Sequence, residues 1–264
     1  GEQAVQARIG VMERMAARGR QVIRQQMPDQ HRAFFAALPY VMVGSADAEG
    51  WPTASVLFGP PGFIATPDAA TVRVAARPHG FDPLAENLAE GAGLGLLGID
   101  LSNRRRNRMN GTVRALGAVG ITLDVDQSFG NCDQYIQIRA LAAPEADASA
   151  PVPAGPPEVL THLDDRALAR IAQADTFFVA SCVPRTGGGH DCDVSHRGGR
   201  PGFIAVEGDT LTIPDFPGNF YFNTFGNFAL NPKAGLLFPD FASGDLLYVW
   251  GHVKMLWESE RIRA

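Results

Sequence analysis

The tetrapeptide PGFI stands at residues 61–64 and again at 201–204, the most visible part of a duplication that runs through the chain. LPYVMVGSADAEG (38–50) aligns with ADTFFVASCVPRTGGG (174–189), and ASVLFGPPGFI (54–64) with DVSHRGGRPGFI (193–204). LAENLAEGAGLGLLGID (84–100) matches FGNFALNPKAGLLFPDF (225–241), and RRNRMNGTV (105–113) matches GDLLYVWGHV (244–253), with Gly111 opposite Gly251. A repeat this long reads as a pair of domains rather than a solenoid unit. Whatever fold one half takes, the other must take too. With 45% apolar side chains, 264 residues suffice for two cores of ordinary size.

Within each half the texture is that of strands. YVMVGSA, TASVLF, PGFIAT and TVRVAAR are short β-branched or aromatic runs separated by DAEGWP, GPP and PDAA, which is turn chemistry. GLGLLGI and RNRMNGTVRAL read as two more strands, LAENLAE as a short helix, and DQSFGNCDQYIQIRAL as a turn followed by a helix. Ahead of the strands, residues 2 to about 26 carry Val5, Ile9, Met12, Met15 and Ala16 at helical spacing, with a break expected at Gly19. DQHRAFFAALP makes a second helix that Pro39 stops. AAPEADASAPVPAGPPE, rich in Ala and Pro, is a linker, after which DDRALARIAQADTF restarts the order helix, strand, turn, strand. The resulting division is an N-terminal helical arm (1–38), a first β domain with a following helix (39–143), a linker (144–160) and a second β domain (161–264).

Charge narrows the function classes. A net charge of −5 argues against non-specific nucleic-acid binding, which needs a positive surface to displace counterions from phosphates. A small anionic ligand stays open where basic residues cluster locally. Cys132, Cys182 and Cys192 are too few and too irregular for a disulfide framework or a CxxC zinc site, so a cytoplasmic location is expected. No run reaches the length of a membrane span, and no membrane association is expected. His190, Cys192 and His196 in HDCDVSH are metal-ligand types, but no second ligand cluster accompanies them and no metal is expected. The chain begins on glycine and ends on WESERIRA without a closing signal, which leaves open that it is part of a longer protein.

The order strand, strand, PGF hairpin, helix ending in NP, apolar AGLLF, then GD and a strand ending in glycine resembles the split β-barrel of the pyridoxamine 5'-phosphate oxidase-like, FMN-binding superfamily. DVSHRGGRPGF, GNFYFNTFGNFALNPKAGLLF and FGNCDQYIQ are similar to a branch in which two such barrels share one polypeptide, sometimes ahead of reductase modules. The resemblance implies a mainly β fold with flanking helices: two tandem split β-barrels forming a pseudo-dimer within one chain, open to further homodimerisation. It also implies FMN as cofactor, and an oxidoreductase passing hydride or electrons between a reduced donor and a small acceptor. Its alternatives are a non-catalytic flavin carrier docking to a reductase partner or fused module, and a relative that binds haem or a deazaflavin.

The residues themselves favour one site, owned by the second half. Ser195, His196 and Arg197 precede Gly198 and Gly199, where backbone N–H groups can approach an anion. Asn223 and Thr224 begin the helix that holds Gly226 and Asn227, and Thr224 is expected to cap it with a phosphate at its N-terminus. Ser55 to Leu57, the matching positions of the first half, offer little. Across the pseudo-dimer, strand alternation puts Arg106, Arg108 and Asn110 on one face and Arg105 on the other. The resemblance places Arg106 where relatives put an FMN-contacting glutamine from the partner subunit. It also adds Tyr135, although on its own FGNCDQYIQ reads as a helix cap packing one barrel on the other, and it carries Asp133 and Gln134 where the family has Pro and Lys. No His, Asp or Glu pair stands out as catalytic.

Overall fold

The computed structural model describes residues 1–140 and 156–257. Three helices lead: α1 (Glu2–Arg8), α2 (Met12–Val22) and α3 (Asp29–Ala36). The break in the arm falls at Gly10, which takes a φ of +74°, and not at Gly19. Gly19 stays helical because a glycine inside a helix costs only about 1 kcal/mol, and Met15 on the same helix is buried. In α3, Phe34 and Phe35 turn into the core together with Leu38 just beyond it.

The first half continues with β1 (Tyr40–Ala46), β2 (Pro52–Phe58), β3 (Ile64–Asp68), β4 (Thr71–Val74), α4 (Leu84–Asn87), β5 (Gly93–Asp100), β6 (Arg105–Gly117) and β7 (Gly120–Gly130). The seven strands form one antiparallel sheet in the order β2-β1-β5-β6-β7-β4-β3. Their inward side chains, among them Val41, Val43, Leu57, Ile64, Leu94, Leu96, Met109 and Leu123, pack on Phe34, Phe35 and Leu38. Burial of each such side chain contributes about 1.5–3 kcal/mol. β7 corrects the helix expected within 125–140. Ile121, Leu123 and Val125 alternate inward while the strand pairs with both β6 and β4, so its backbone groups are satisfied as a ladder as far as Gly130. Residues 131–140 are not helical. Tyr135 sits at a φ of +66°, and the Arg139 N–H donates to the Leu101 carbonyl.

The linker expected over 144–160 lies outside the described residues as far as 155. The second half then runs α5 (Asp165–Gln173), β8 (Thr176–Pro184), β9 (His190–Gly198), β10 (Ala205–Glu207), β11 (Thr210–Thr212), α6 (Asn223–Phe228), β12 (Lys233–Pro239) and β13 (Leu246–His252). Its main sheet has the order β9-β8-β12-β13, which repeats β2-β1-β5-β6 strand for strand. Register agrees as well as order. Gly44 pairs with Ala54 and Gly95 as Ala180 pairs with Val194 and Gly235. Counting along the strands sets Ser55 against Ser195, Val56 against His196 and Leu57 against Arg197. Leu97 opposite Arg108 and Leu237 opposite Tyr248 set Arg108 against Tyr248, Arg106 against Leu246 and Gly111 against Gly251. Both PGF turns need their glycine, since Gly62 and Gly202 take φ of +94° and +85°, where a Cβ is strained. The two halves differ in strand content: β7 makes seven strands in the first half, and the six of the second half divide into the four-stranded sheet and the β10-β11 hairpin.

The halves meet through a shared core. Met42, Ala54, Val56 and Leu97 of the first pack with Phe178, Ala180, Val194 and Leu237 of the second. The approach is close enough to need glycine at two pseudo-equivalent places. A side chain on Gly95 would strike the Cys192 carbonyl in β9, and one on Gly235 the Pro52 carbonyl in β2. This pseudo-twofold contact brings the end of β6 over the end of β9.

Candidate functional site

At that junction Arg108 reaches from β6 into the second half. Its Nη1 donates to Asp193 Oδ2 at 2.9 Å, and its Nη2 donates to the Val194 carbonyl at 3.0 Å and to Ser195 Oγ. Asn110 Nδ2 donates to the other Asp193 oxygen at 2.7 Å. Both ion-pair side chains are buried, so the pair is bound to the fold rather than offered to a ligand. Burial pushes the Asp193 carboxyl up, and Arg108 and Asn110 oppose that push.

Arg106 is placed differently. Its Nη1 lies 3.2 Å from His196 Nδ1, no carboxylate pairs with it among the described residues, and its buried Nε has no partner. Burial, then the neighbouring Arg197 and Arg108, bring its pKa down to about 10, which leaves it cationic at neutral pH. Because a guanidinium only donates, His196 Nδ1 must accept, and the ring proton of neutral His196 then sits on Nε2. That nitrogen is buried and unpartnered. Burial first, then Arg106, Arg197 and Arg139, hold the imidazole well below its ordinary pKa, so it is neutral. Arg197 donates to the His196 carbonyl at 3.2 Å and lies 3.8 Å from Asp215, too far for a tight pair. Burial lowers its pKa, Asp215 opposes this, and Arg108 adds to it. Two loosely compensated guanidiniums and one neutral imidazole thus belong to residues gathered at one space.

That space is a cavity of about 340 Å³. Ser195, His196, Arg197, Gly198, Asn223, Thr224, Arg106, Arg108 and Tyr135 all line it. The opposite wall is aromatic, built from Phe203, Phe216, Phe220, Phe222 and Phe225, with Tyr135 against Phe216 at 5.1 Å. Arg105 points the other way and sits over the Phe34 ring, as strand alternation requires.

Three expectations are corrected. Gly226 and Asn227 do not line the cavity. Successive helix residues turn by about 100°, so when Asn223 and Thr224 face the cavity, Gly226 packs on Glu2 of the arm and Asn227 donates to Ser181 Oγ at 3.0 Å. Thr224 does not cap α6, since its hydroxyl is 3.1 Å from Ser195 Oγ and the helix has no side-chain cap. Asn223 in turn donates to Glu2 Oε1 at 2.6 Å.

The arm itself went unforeseen at the site. Gln6 Nε2 donates to the carbonyls of Phe220 and Tyr221 at 3.4 and 3.1 Å, Arg14 sits over the Phe220 ring and Arg18 over that of Tyr221. These contacts brace a segment in which Phe220 and Phe222 adopt φ of +62° and +59°, a conformation that costs a non-glycine residue about 1–3 kcal/mol.

The pseudo-equivalent position of the first half has the same skeleton with other chemistry. Trp250 Nε1 donates to Thr53 Oγ1 at 3.2 Å where Asn110 bonds Asp193. Tyr248, in the place of Arg108, donates to Asp82 Oδ2 at 3.0 Å, and Ser55 Oγ donates to Asp82 Oδ1 at 2.6 Å. Leu246 replaces Arg106. A buried carboxylate and a phenol close this position.

Residues 27–147 match the family model for pyridoxamine 5'-phosphate oxidase. Arg106, Arg108, Asn131 and Tyr135 fall within that match. No curated protein and no solved structure gives a significant match. Among the described residues no helix is long and apolar enough to cross a membrane, and no group of three or more His, Cys, Asp or Glu could hold a metal ion.

Proposed function

We propose that the arginine-lined cavity at the junction of the two halves takes one FMN and that the protein is an oxidoreductase of the pyridoxamine 5'-phosphate oxidase-like type: residues 27–147 match that family's model, and its members typically bind flavin. The observation that carries this reading is the set of buried, unpartnered donors, Arg106 Nε and His196 Nε2, on residues that line a cavity with an aromatic wall, with Arg197 beside them. Such donors ask for an anionic, acceptor-rich ligand, and the wall asks for a flat apolar one; FMN is both. Arg197 holds the phosphate, Arg106 reaches the ligand from the first half, and the aromatic side chains order the ring and exclude water. The cofactor supplies acceptance and release of hydride or electrons, so the protein needs no acid or base of its own. Electrons come from a small reduced donor or a reductase partner and pass to a small acceptor. A cytoplasmic setting belongs to the proposal, on the ground that Cys132, Cys182 and Cys192 stand as free thiols.

The test is to saturate the purified protein with FMN, remove the excess, denature it and quantify the flavin released. One equivalent per chain is expected. Two equivalents would mean that the Asp82 position binds as well, and none would remove the flavin reading. A Soret band in the freshly purified protein would point to haem instead.

A further inference from the structure

Away from the cavity, the β8-β9 ladder sets two cysteines directly opposite one another, Cys182 and Cys192. Both are free and buried. Opposed residues in an antiparallel ladder have Cα atoms about 4.5–5.5 Å apart, inside the roughly 4.4–6.8 Å that a disulfide spans, so a bond can close without parting the strands. Cys182 Sγ accepts from Asn231 Nδ2 at 3.2 Å and donates to the Gly50 carbonyl oxygen at 3.3 Å. The environment separates their roles. The hydrogen bonds from Cys192 and Asn231 draw the Cys182 thiol below its ordinary pKa against the pull of burial, whereas Cys182, burial, and the nearby Asp193 and Asp191 push Cys192 well up. One sulfur is therefore the better nucleophile, and the other keeps its proton.

Access comes from the hairpin end. Only the Val183–Asp191 and Pro184–His190 pairs separate the cysteines from the turn, which contains Gly187, Gly188 and Gly189, all at positive φ. Opening at a strand end next to a glycine turn costs much less than global unfolding, and a hydroperoxide is small enough to enter through it.

We infer that Cys182 and Cys192 form a two-electron redox site that closes to a disulfide on reaction with a hydroperoxide. Cys182 sulfur attacks one peroxide oxygen, the O–O bond breaks, and the thiol proton leaves with the departing oxygen as an alcohol, or as water from hydrogen peroxide. The Cys182 sulfenic acid is then attacked by Cys192 sulfur; the S–S bond forms, and the hydroxyl leaves with the Cys192 proton as water. Two thiols are oxidised and one O–O bond is reduced. Closure withdraws Cys182 from the Gly50 carbonyl, which lies in the β1-β2 turn of the other half, so the oxidised state loosens one contact between the barrels.

The test uses the full chain under hydrogen peroxide, quenched with an alkylating reagent and mapped by mass spectrometry without reduction. The expected result is a linked pair of peptides carrying Cys182 and Cys192, lost on treatment with dithiothreitol, while Cys132 is alkylated or over-oxidised. Cys192→Ser should leave a sulfenic acid on Cys182 that dimedone traps, and Cys132→Ser should change nothing. Oxidation of Cys132 with no linked peptide, at peroxide levels that keep the chain folded, would overturn the inference, as would dimedone labelling at Cys192 in a Cys182→Ser variant. The wild-type map decides the matter even if a serine variant fails to fold.

Discussion

At the end of β9 the chain presents Ser195, His196 and Arg197 to Arg106 and Arg108 of the opposite barrel. At the end of β2 it presents Ser55, Val56 and Leu57 to Leu246 and Tyr248. The backbones correspond residue by residue, so the difference lies in side chains alone. One position gathers cations around a cavity, and the other gathers a phenol and a serine hydroxyl around the buried Asp82. A phosphate brought to the second position would face a carboxylate and no guanidinium. Duplication thus preserved the scaffold, and exchange at a few cross-barrel positions decided which junction stayed open. The site needs both halves, since Arg106 and Arg108 come to the second-half cavity from the first half and Arg197 from the second.

The largest effect separating the two junctions is expected at the residue that faces each from across the seam. Arg108→Ala leaves Asp193 buried with Asn110 as its remaining side-chain donor, and removing one member of a buried ion pair costs about 3–5 kcal/mol. Tyr248→Phe is milder, because Asp82 keeps the Ser55 hydroxyl and the Leu84 amide, and the loss of one hydrogen bond costs about 1 kcal/mol. Urea unfolding of both variants measures the gap. Equal losses would mean that Arg108 and Tyr248 play one structural role and that the charge asymmetry between the junctions is incidental.

The next effect tests the ligand. Charge-assisted hydrogen bonds are worth roughly 1.5–3 kcal/mol, so Arg197→Ala should weaken FMN binding by about ten- to a hundredfold. Riboflavin, which lacks the phosphate, should bind the variant about as well as it binds the wild type. A titration of flavin fluorescence in which both ligands lose the same factor would assign Arg197 to the ring or to folding. The Leu57→Ala counterpart should leave FMN affinity unchanged.

The repeated strands could be read from the sequence because strand alternation and the PGF turn are local signals, and each copy checked the other. The same comparison isolated Ser195 to Gly198 and gave Arg106 and Arg108 their face. β7 was hidden because Asn131, Cys132 and Asp133 look like the start of a helix, although Ile121, Leu123 and Val125 already alternate as a strand. Gly226 and Asn227 were assigned with Asn223 and Thr224 because adjacency in sequence says nothing about which side of a short helix meets a cavity. Asp193 and the bracing of Phe220 and Tyr221 by Gln6 carry no local signal. A single carboxylate in a strand is unremarkable until its arginine is known, and a contact spanning more than two hundred residues follows only from the packed fold.

The smallest expected effect concerns the proton on His196, and its sign follows from the geometry. An unfolded histidine binds a proton near pH 6.5, whereas the folded imidazole, buried and 3.2 Å from Arg106, binds one only well below that. Between those values the unfolded chain holds more protons than the folded one, so acid favours unfolding. His196 should therefore cost nothing above about pH 7. Stability should fall as pH drops below 6.5, by at most about 1.4 kcal/mol per pH unit for one proton. His31 is shifted in the same direction by burial and by Arg24 and Arg105, so the quantity to follow is the stability of the wild type minus that of His196→Gln. That difference should turn against the wild type between pH 7 and 5 while the His31 contribution cancels. The first-half equivalent, Val56, has no titrating group, and the acid sensitivity should belong to one junction only. A flat difference would mean that His196 takes up a proton as easily folded as unfolded. Its Nδ1 would then not be fixed as the acceptor of Arg106, and the proton assigned to Nε2 would lose its basis.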